Sequence, residues 1–166
     1  MRPILTVLIT IILTLPLGAQ ESTVTPEADD AAAAALTPLE RWQADPSTVF
    51  DAAEVDLNDF LWLARPVVVF SDAAAVPAFQ EQLLLLSDRP QDLRRRDVVV
   101  ITDTSPATPS DIRLALRPRG FALVLIAKDG TVNLRKPFPW DAREISHAID
   151  KWPIRQQEIR DNARGG

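Results

Sequence analysis

Along the chain the apolar positions fall into two kinds of run. Pro66–Ser71 (P-V-V-V-F-S), Asp97–Thr102 (D-V-V-V-I-T) and Phe121–Lys128 (F-A-L-V-L-I-A-K) are short, rich in β-branched residues and continuous. Continuous runs of this length predict strands buried on both faces of a sheet. Thr131–Arg135 alternates instead, with Val132 and Leu134 on one side, and predicts a half-exposed strand. Between these runs the spacing is helical. Val76–Ser87 carries Phe79, Leu83 and Leu86 at helical intervals, with Leu84 and Leu85 widening the apolar face and Pro77 suited to a first turn. Ser110 precedes a short helix expected to bury Ile112, Ala115 and Leu116. Asp141 and Glu144 have capping-box spacing, and Ile145, Ala148, Ile149 and Trp152 follow at i, i+3, i+4 and i+7. Pro153 stops that helix, and Ile154–Arg160 reads as a separate amphipathic turn before a frayed end at 161–166. Pro38–Gln43 predicts a helical turn with Leu39 and Trp42 on one face, and Arg89–Arg96 a polar connector or short helix. Leu57, Phe60 and Trp62 lead up to Arg65-Pro66, where the residue before proline disfavours helix. Asp129-Gly130 predicts a two-residue hairpin turn, since both positions tolerate positive φ.

The predicted order is β-α-β-α-β-β-α. A helical crossover makes the first two strands parallel, and the hairpin makes the last two antiparallel. The fold class is α/β, a three-layer sandwich with a central mixed sheet and helices on both faces. That is the element order of a thioredoxin-like fold.

Upstream of this unit the pattern changes. Arg2 and the amino terminus are positive, Ile4–Leu17 is almost wholly apolar, and Ala19 places a small residue before a cut at Gln20. Residues 1–19 therefore read as a signal peptide. The apolar run of about 15 is shorter than the ~18–20 residues of a spanning helix, so a cleaved leader is expected, with no stable membrane span left after cleavage. Export to a periplasm or outside the cell follows. Residues 20–36 contain Ser, Thr, Pro, four acids and the run Ala31–Ala35, and read as a disordered acidic tether. The folded unit is expected over 37–160.

Composition removes several chemistries. The chain has no cysteine and one histidine. There is no disulfide, thiolate nucleophile, zinc knuckle, iron–sulfur cluster or lipid-modified cysteine to build, and few nitrogen or sulfur ligands for a transition metal. No metal and no cofactor is implied. Net charge is −5, unevenly spread. Thr37–Leu85 has two basic residues against eight acidic, whereas Leu86–Gly166 has fifteen against eleven. Two solvated faces of one domain explain this, as does a basic surface that meets an anionic partner. Without aromatic–basic interleaving, nucleic acid is not an expected partner.

Four stretches resemble a known family. They are Asp56–Trp62 leading to Arg65-Pro66-Val67-Val68-Val69-Phe70, Arg96–Ile101, Gly120–Gly130 and Ile149–Glu158. Together, over about Asp56 to Arg160, they are similar to the exported bacterial proteins of the domain of unknown function 4174 family. That family is similar to the thioredoxin-like module of some animal sushi-repeat and extracellular-matrix proteins. The resemblance implies a thioredoxin-like fold and an exported location, and it implies no activity. Redox-active thioredoxins carry a Cys-x-x-Cys pair after the first core strand, where a helix amino terminus lowers thiol pKa. The corresponding stretch here is Ser71-Asp72-Ala73-Ala74-Ala75, and Ala122 falls near the position of their cis-proline. Thiol–disulfide exchange and thiol peroxidase chemistry are chemically impossible in this chain.

Loops at the carboxyl ends of sheet strands are where open α/β folds bind ligands. Ser71, Asp72, Asp103, Arg113, Arg117 and Arg119 are the candidate ligand-binding residues, with Thr104 beside them. Arginines there suit a carboxylate or phosphate. The structural alternative makes Asp72 a helix cap, Asp103 a turn former and the arginines solvated or paired. A nucleophilic Ser71 or Thr104 needs an adjacent base, and His147 is expected to point outward from the last helix. Phe138 and Trp140 are candidate partner-binding anchors, unless they fold over the sheet edge. The expected function is a non-catalytic binding module whose partner is a cell-envelope protein or a small anionic ligand. The alternative is an enzyme with non-thiol chemistry at these loops.

Overall fold

The computed structural model describes residues 36–165, so the leader and residues 20–35 of the tether lie outside the described residues. Five strands form one sheet: β1 (Val49–Asp51), β2 (Arg65–Phe70), β3 (Val98–Asp103), β4 (Ala122–Ile126) and β5 (Val132–Lys136). Their spatial order is β1-β3-β2-β4-β5. β1, β3 and β2 run parallel, whereas β4 is antiparallel to both β2 and β5. Among the described residues six helices accompany them: α1 (Pro38–Ala44), α2 (Pro77–Ser87), α3 (Pro90–Arg94), α4 (Asp111–Leu116), α5 (Ala142–Asp150) and α6 (Pro153–Gly165). A 3-10 turn, Leu57–Phe60, precedes β2.

Alternation along the buried strands builds two cores. Val68, Phe70, Val99, Ile101, Val124 and Ile126 face one side, under Trp42 of α1, Phe60 of the 3-10 turn and Ile112 of α4. Val67, Val69, Val98, Val100, Leu123 and Leu125 face the other, under Phe79 and Leu86 of α2, Leu93 of α3, and Ile145 and Ile149 of α5. Each such fully buried side chain contributes roughly 1.5–3 kcal/mol. The continuous apolar runs thus mark a sheet covered on both faces. The Trp42 indole N–H also donates to the Val98 carbonyl at 3.1 Å, pinning α1 to the start of β3.

Five details depart from the sequence pattern. β1 was not expected: three residues, with only Phe50 buried, carry too little periodicity to announce a strand. Leu84 does not widen the apolar face of α2 but is 70% exposed, and the fully buried neighbour of Phe79 and Leu86 is Gln82. The β4–β5 turn has only Gly130 at positive φ (+83°), so Asp129-Gly130 is not a turn with both residues left-handed. Instead Gly130 N–H bonds the Ala127 carbonyl, Ala127 N–H bonds Thr131, and the register shifts between Leu125 and Ile126. α5 stops at Asp150, so Trp152 lies beyond the helix, half-buried against the second core. α6 runs on to Gly165, through residues read as a frayed end.

Candidate functional site

The carboxyl ends of β2 and β3 open into the loops after Phe70 and Asp103. β4 runs the other way, so the Arg117–Phe121 loop that leads into it arrives at the same end. Three of the candidate residues meet there. Asp103 is 3% exposed; its Oδ1 accepts from Arg113 Nε at 2.9 Å and from the Ser105 N–H at 3.1 Å. Oδ2 accepts from Ser110 Oγ at 2.7 Å, while Ser110 itself caps α4 by accepting from the Arg113 N–H. Arg113 Nη2 donates to the carbonyls of Ser71 (2.8 Å) and Asp103 (2.9 Å), and its guanidinium stands 5.4 Å from the Phe70 ring centroid. Burial pushes the Asp103 carboxyl up, but the bonds from Arg113, Ser110 and Ser105 outweigh it and hold it below its ordinary value. The result is a closed internal lock that ties β2, β3 and α4 together.

This lock leaves no free catalytic group among its members. Ser71 is fully buried and its hydroxyl donates to the Ala73 carbonyl at 2.9 Å. His147 is exposed on α5, and no hydrogen bond joins it to Ser71, Thr104 or Asp103 among the described residues. Asp103 forms a turn and a pair, as the structural alternative has it. Asp72 caps nothing: the residue preceding α2 is Val76, with no side-chain cap, and Asp72 instead lies exposed beside Gly120.

Outside the lock the same end is cationic. Arg117 follows α4 in a left-handed conformation (φ +49°) and is exposed, as is Arg119. Register brings two more cations alongside, since Arg135 lies opposite Val124 and Lys136 opposite Leu123. Arg135 Nη1 donates to the Leu116 carbonyl at 2.8 Å, at the carboxyl end of α4. The Lys136 ammonium sits 4.2 Å from the Trp140 ring centroid and 5.9 Å from that of Phe138. None of Arg117, Arg119, Arg135 and Lys136 forms an ion pair among the described residues. Trp140 folds over the sheet edge, its N–H and carbonyl both bonded to the Gln82 amide, while Phe138 remains 52% exposed.

A second polar cluster, at the opposite end of the sheet, escaped the sequence reading. Arg65, 1% exposed, donates to Glu158 at 2.7 Å and to the Arg96 carbonyl at 2.8 Å. Lys128 pairs with Asp97 at 2.7 Å and Glu158 at 3.2 Å. Arg96 grips Asp150 through Nε and Nη2, and Arg155 reaches both Asp150 and Glu158. Bonds from Arg96 hold Asp150 below its ordinary value. For Glu158 burial pushes upward, and Arg155, Arg65 and Lys128 outweigh it. A signal existed: an arginine directly before a wholly apolar strand, with further charges in each of the stretches that resemble the family.

Two cavities of about 500 and 520 Å³ lie elsewhere, one between the 3-10 turn and α4, one between α2 and β1. Neither is lined by Asp103, Arg117 or Arg119. Among the described residues no group of three acidic or histidine side chains is placed to hold a metal ion, and no helix is long and apolar enough to cross a membrane.

Comparison with known proteins agrees with this architecture. The profile of the family described as Domain of unknown function (DUF4174) matches residues 56–158. A chloroplastic thioredoxin z superposes with a TM-score of 0.50 at 19% identity, covering 63% of this chain and 93% of that one. The reduced 2-Cys peroxiredoxin of Plasmodium vivax superposes with a TM-score of 0.47 at 18% identity, covering 63% and 85%. Likeness at such identity to the thioredoxin is one of fold. No curated protein matches the chain.

Proposed function

The chain belongs to the DUF4174 family, and from that premise we propose that it is an exported thioredoxin-like module that binds an anionic partner and catalyses nothing. One observation carries this reading. At the sheet end where a redox-active relative would hold its cysteines, the buried polar groups satisfy one another, while Arg117, Arg119, Arg135 and Lys136 stand without acidic partners. Cations left unpaired at a rim steer and orient an acidic surface. Phe138, exposed beside Lys136, supplies an apolar contact of the kind that anchors interfaces. The partner is a cell-envelope protein with an acidic face or a small anion. The export part of the reading rests on residues 1–19.

A photo-reactive residue in place of Phe138, in intact cells, tests this. A discrete adduct is expected, made by a protein whose amino terminus is Gln20. The paired charge reversal Arg117→Glu and Arg119→Glu should lower the adduct by tenfold or more, and a probe at His147 should give none. An adduct indifferent to the charge reversal would sink the binding face. A product still carrying Met1 to Ala19 would sink the cleaved leader.

A further inference from the structure

Glu158 is delivered by α6, a helix that buries none of its own side chains. Ile159 is 42% exposed, Ile154 is half-buried, and Gln157 bonds Asp161 and Arg160 within the helix. No apolar stripe therefore fastens α6 to the body of the protein. Charges do so instead. On the Glu158 carboxylate converge Arg65 Nη2 at 2.7 Å from β2, Lys128 Nζ at 3.2 Å from the end of β4, and Arg155 Nη1 at 3.0 Å from α6 itself.

The body's share of this contact is fixed independently of α6. Arg65 is 1% exposed, and its Nη1 is held by the Arg96 carbonyl at 2.8 Å, with the Asp97 carboxylate at 3.7 Å. Lys128 is anchored to the same Asp97 at 2.7 Å. A buried guanidinium needs a carboxylate, because an unpaired charge away from water is strongly unfavourable.

We propose that Arg65 and Lys128 form a carboxylate-binding cradle that Glu158 fills in cis, and that α6 is a releasable strap over it. Two cations against Asp97 leave one net positive charge when Glu158 departs. That charge matches a single carboxylate better than a phosphate dianion. When the strap lifts, an acidic side chain of a partner protein takes the place of Glu158. Asp150, held by Arg96 and reached by Arg155, stays at the base of α6 as the hinge-side tether.

The full-length chain with Glu158→Ala, probed with sodium acetate, tests the cradle. Tryptic cleavage after Arg160 and amide exchange in α6 are expected to quicken by about tenfold or more in chloride. Acetate at equal ionic strength should raise the melting temperature of this variant saturably. It should do nothing specific to the unaltered chain or to the Glu158→Ala, Lys128→Met double variant. If Glu158→Ala does not fold in chloride, refolding in acetate is the readout. Recovery there supports the cradle, and failure in both salts overturns it. Unchanged protection of α6 would overturn the strap, and release without an acetate-specific response would overturn the cradle. None of these results depends on capture at Arg117 and Arg119, so the two readings fail separately.

Discussion

Arg113 carries a full positive charge into a site only 8% exposed, and Asp103 makes that tolerable. Two carbonyls and one carboxylate take up its donors, and the Phe70 ring lies beneath its plane. Removing one partner leaves the other charge buried without compensation. Asp103→Ala should therefore cost about 3–5 kcal/mol, read as a lower urea midpoint at constant slope. Replacing both, Asp103→Leu with Arg113→Met, should recover most of that loss. A single substitution costing under about 1 kcal/mol would mean that the pair is solvated rather than locked. Sequence placed both residues at the correct end of the sheet, because strand ends and loops are readable from apolar runs. It did not reveal that they face each other. Ten positions apart, across a loop and a helix turn, their meeting depends on how Ser110 starts α4. Arg65 was harder still, since its partner lies 93 positions away.

At the scale of elements, α2 and the segment entering α5 are joined by one side chain. Gln82 is fully buried; its amide nitrogen donates to the Trp140 carbonyl at 2.8 Å and its oxygen accepts from the Trp140 N–H at 2.9 Å. This pair imitates a strand ladder between two elements that share no sheet. Gln82→Leu keeps the volume and orphans both backbone groups, so a destabilisation of about 2–4 kcal/mol is expected in chemical denaturation. A loss below about 0.5 kcal/mol would show that water replaces the amide. The helix itself was legible from Phe79, Leu83 and Leu86. The inward turn of Gln82 and the outward turn of Leu84 were not, since hydrophobicity alone assigns each the opposite side. The same limit explains β1 and the length of α6, of which only Ile154–Arg160 reads as an amphipathic turn. A three-residue strand has no period to detect, and a helix fastened by Glu158 and Arg155 shows no apolar stripe.

For the whole molecule the two polar clusters sit at opposite ends of one sheet and act on stability in the same direction. Asp103, Asp150 and Glu158 all titrate below their ordinary values in the folded chain, which for Asp and Glu are 3.8 and 4.5. A carboxyl depressed by folding stabilises above its unfolded pKa, and that stabilisation is lost as pH falls through the folded value. Denaturation midpoints should thus stay level from pH 7 to about 5 and fall steeply below about pH 4. Glu158→Gln should make the acid limb shallower. A stability that held to pH 3 would contradict the depressed carboxyls. At this scale most was readable in advance: the mixed sheet, its two covered faces and the absent thiols all follow from runs, turns and composition.

The place of α6 after every strand of the sheet has a consequence for synthesis. A chain is made and delivered amino terminus first, so Arg65 is available long before Glu158. Every strand of the sheet is already present by Lys136, yet the two cations at that end, Arg65 and Lys128, are then answered by Asp97 alone. A product cut short before Glu158 would keep that defect and expose it to proteases. α6 thus serves as a checkpoint on synthesis: only a chain translated past Glu158 can pair Arg65 and Lys128 from this side.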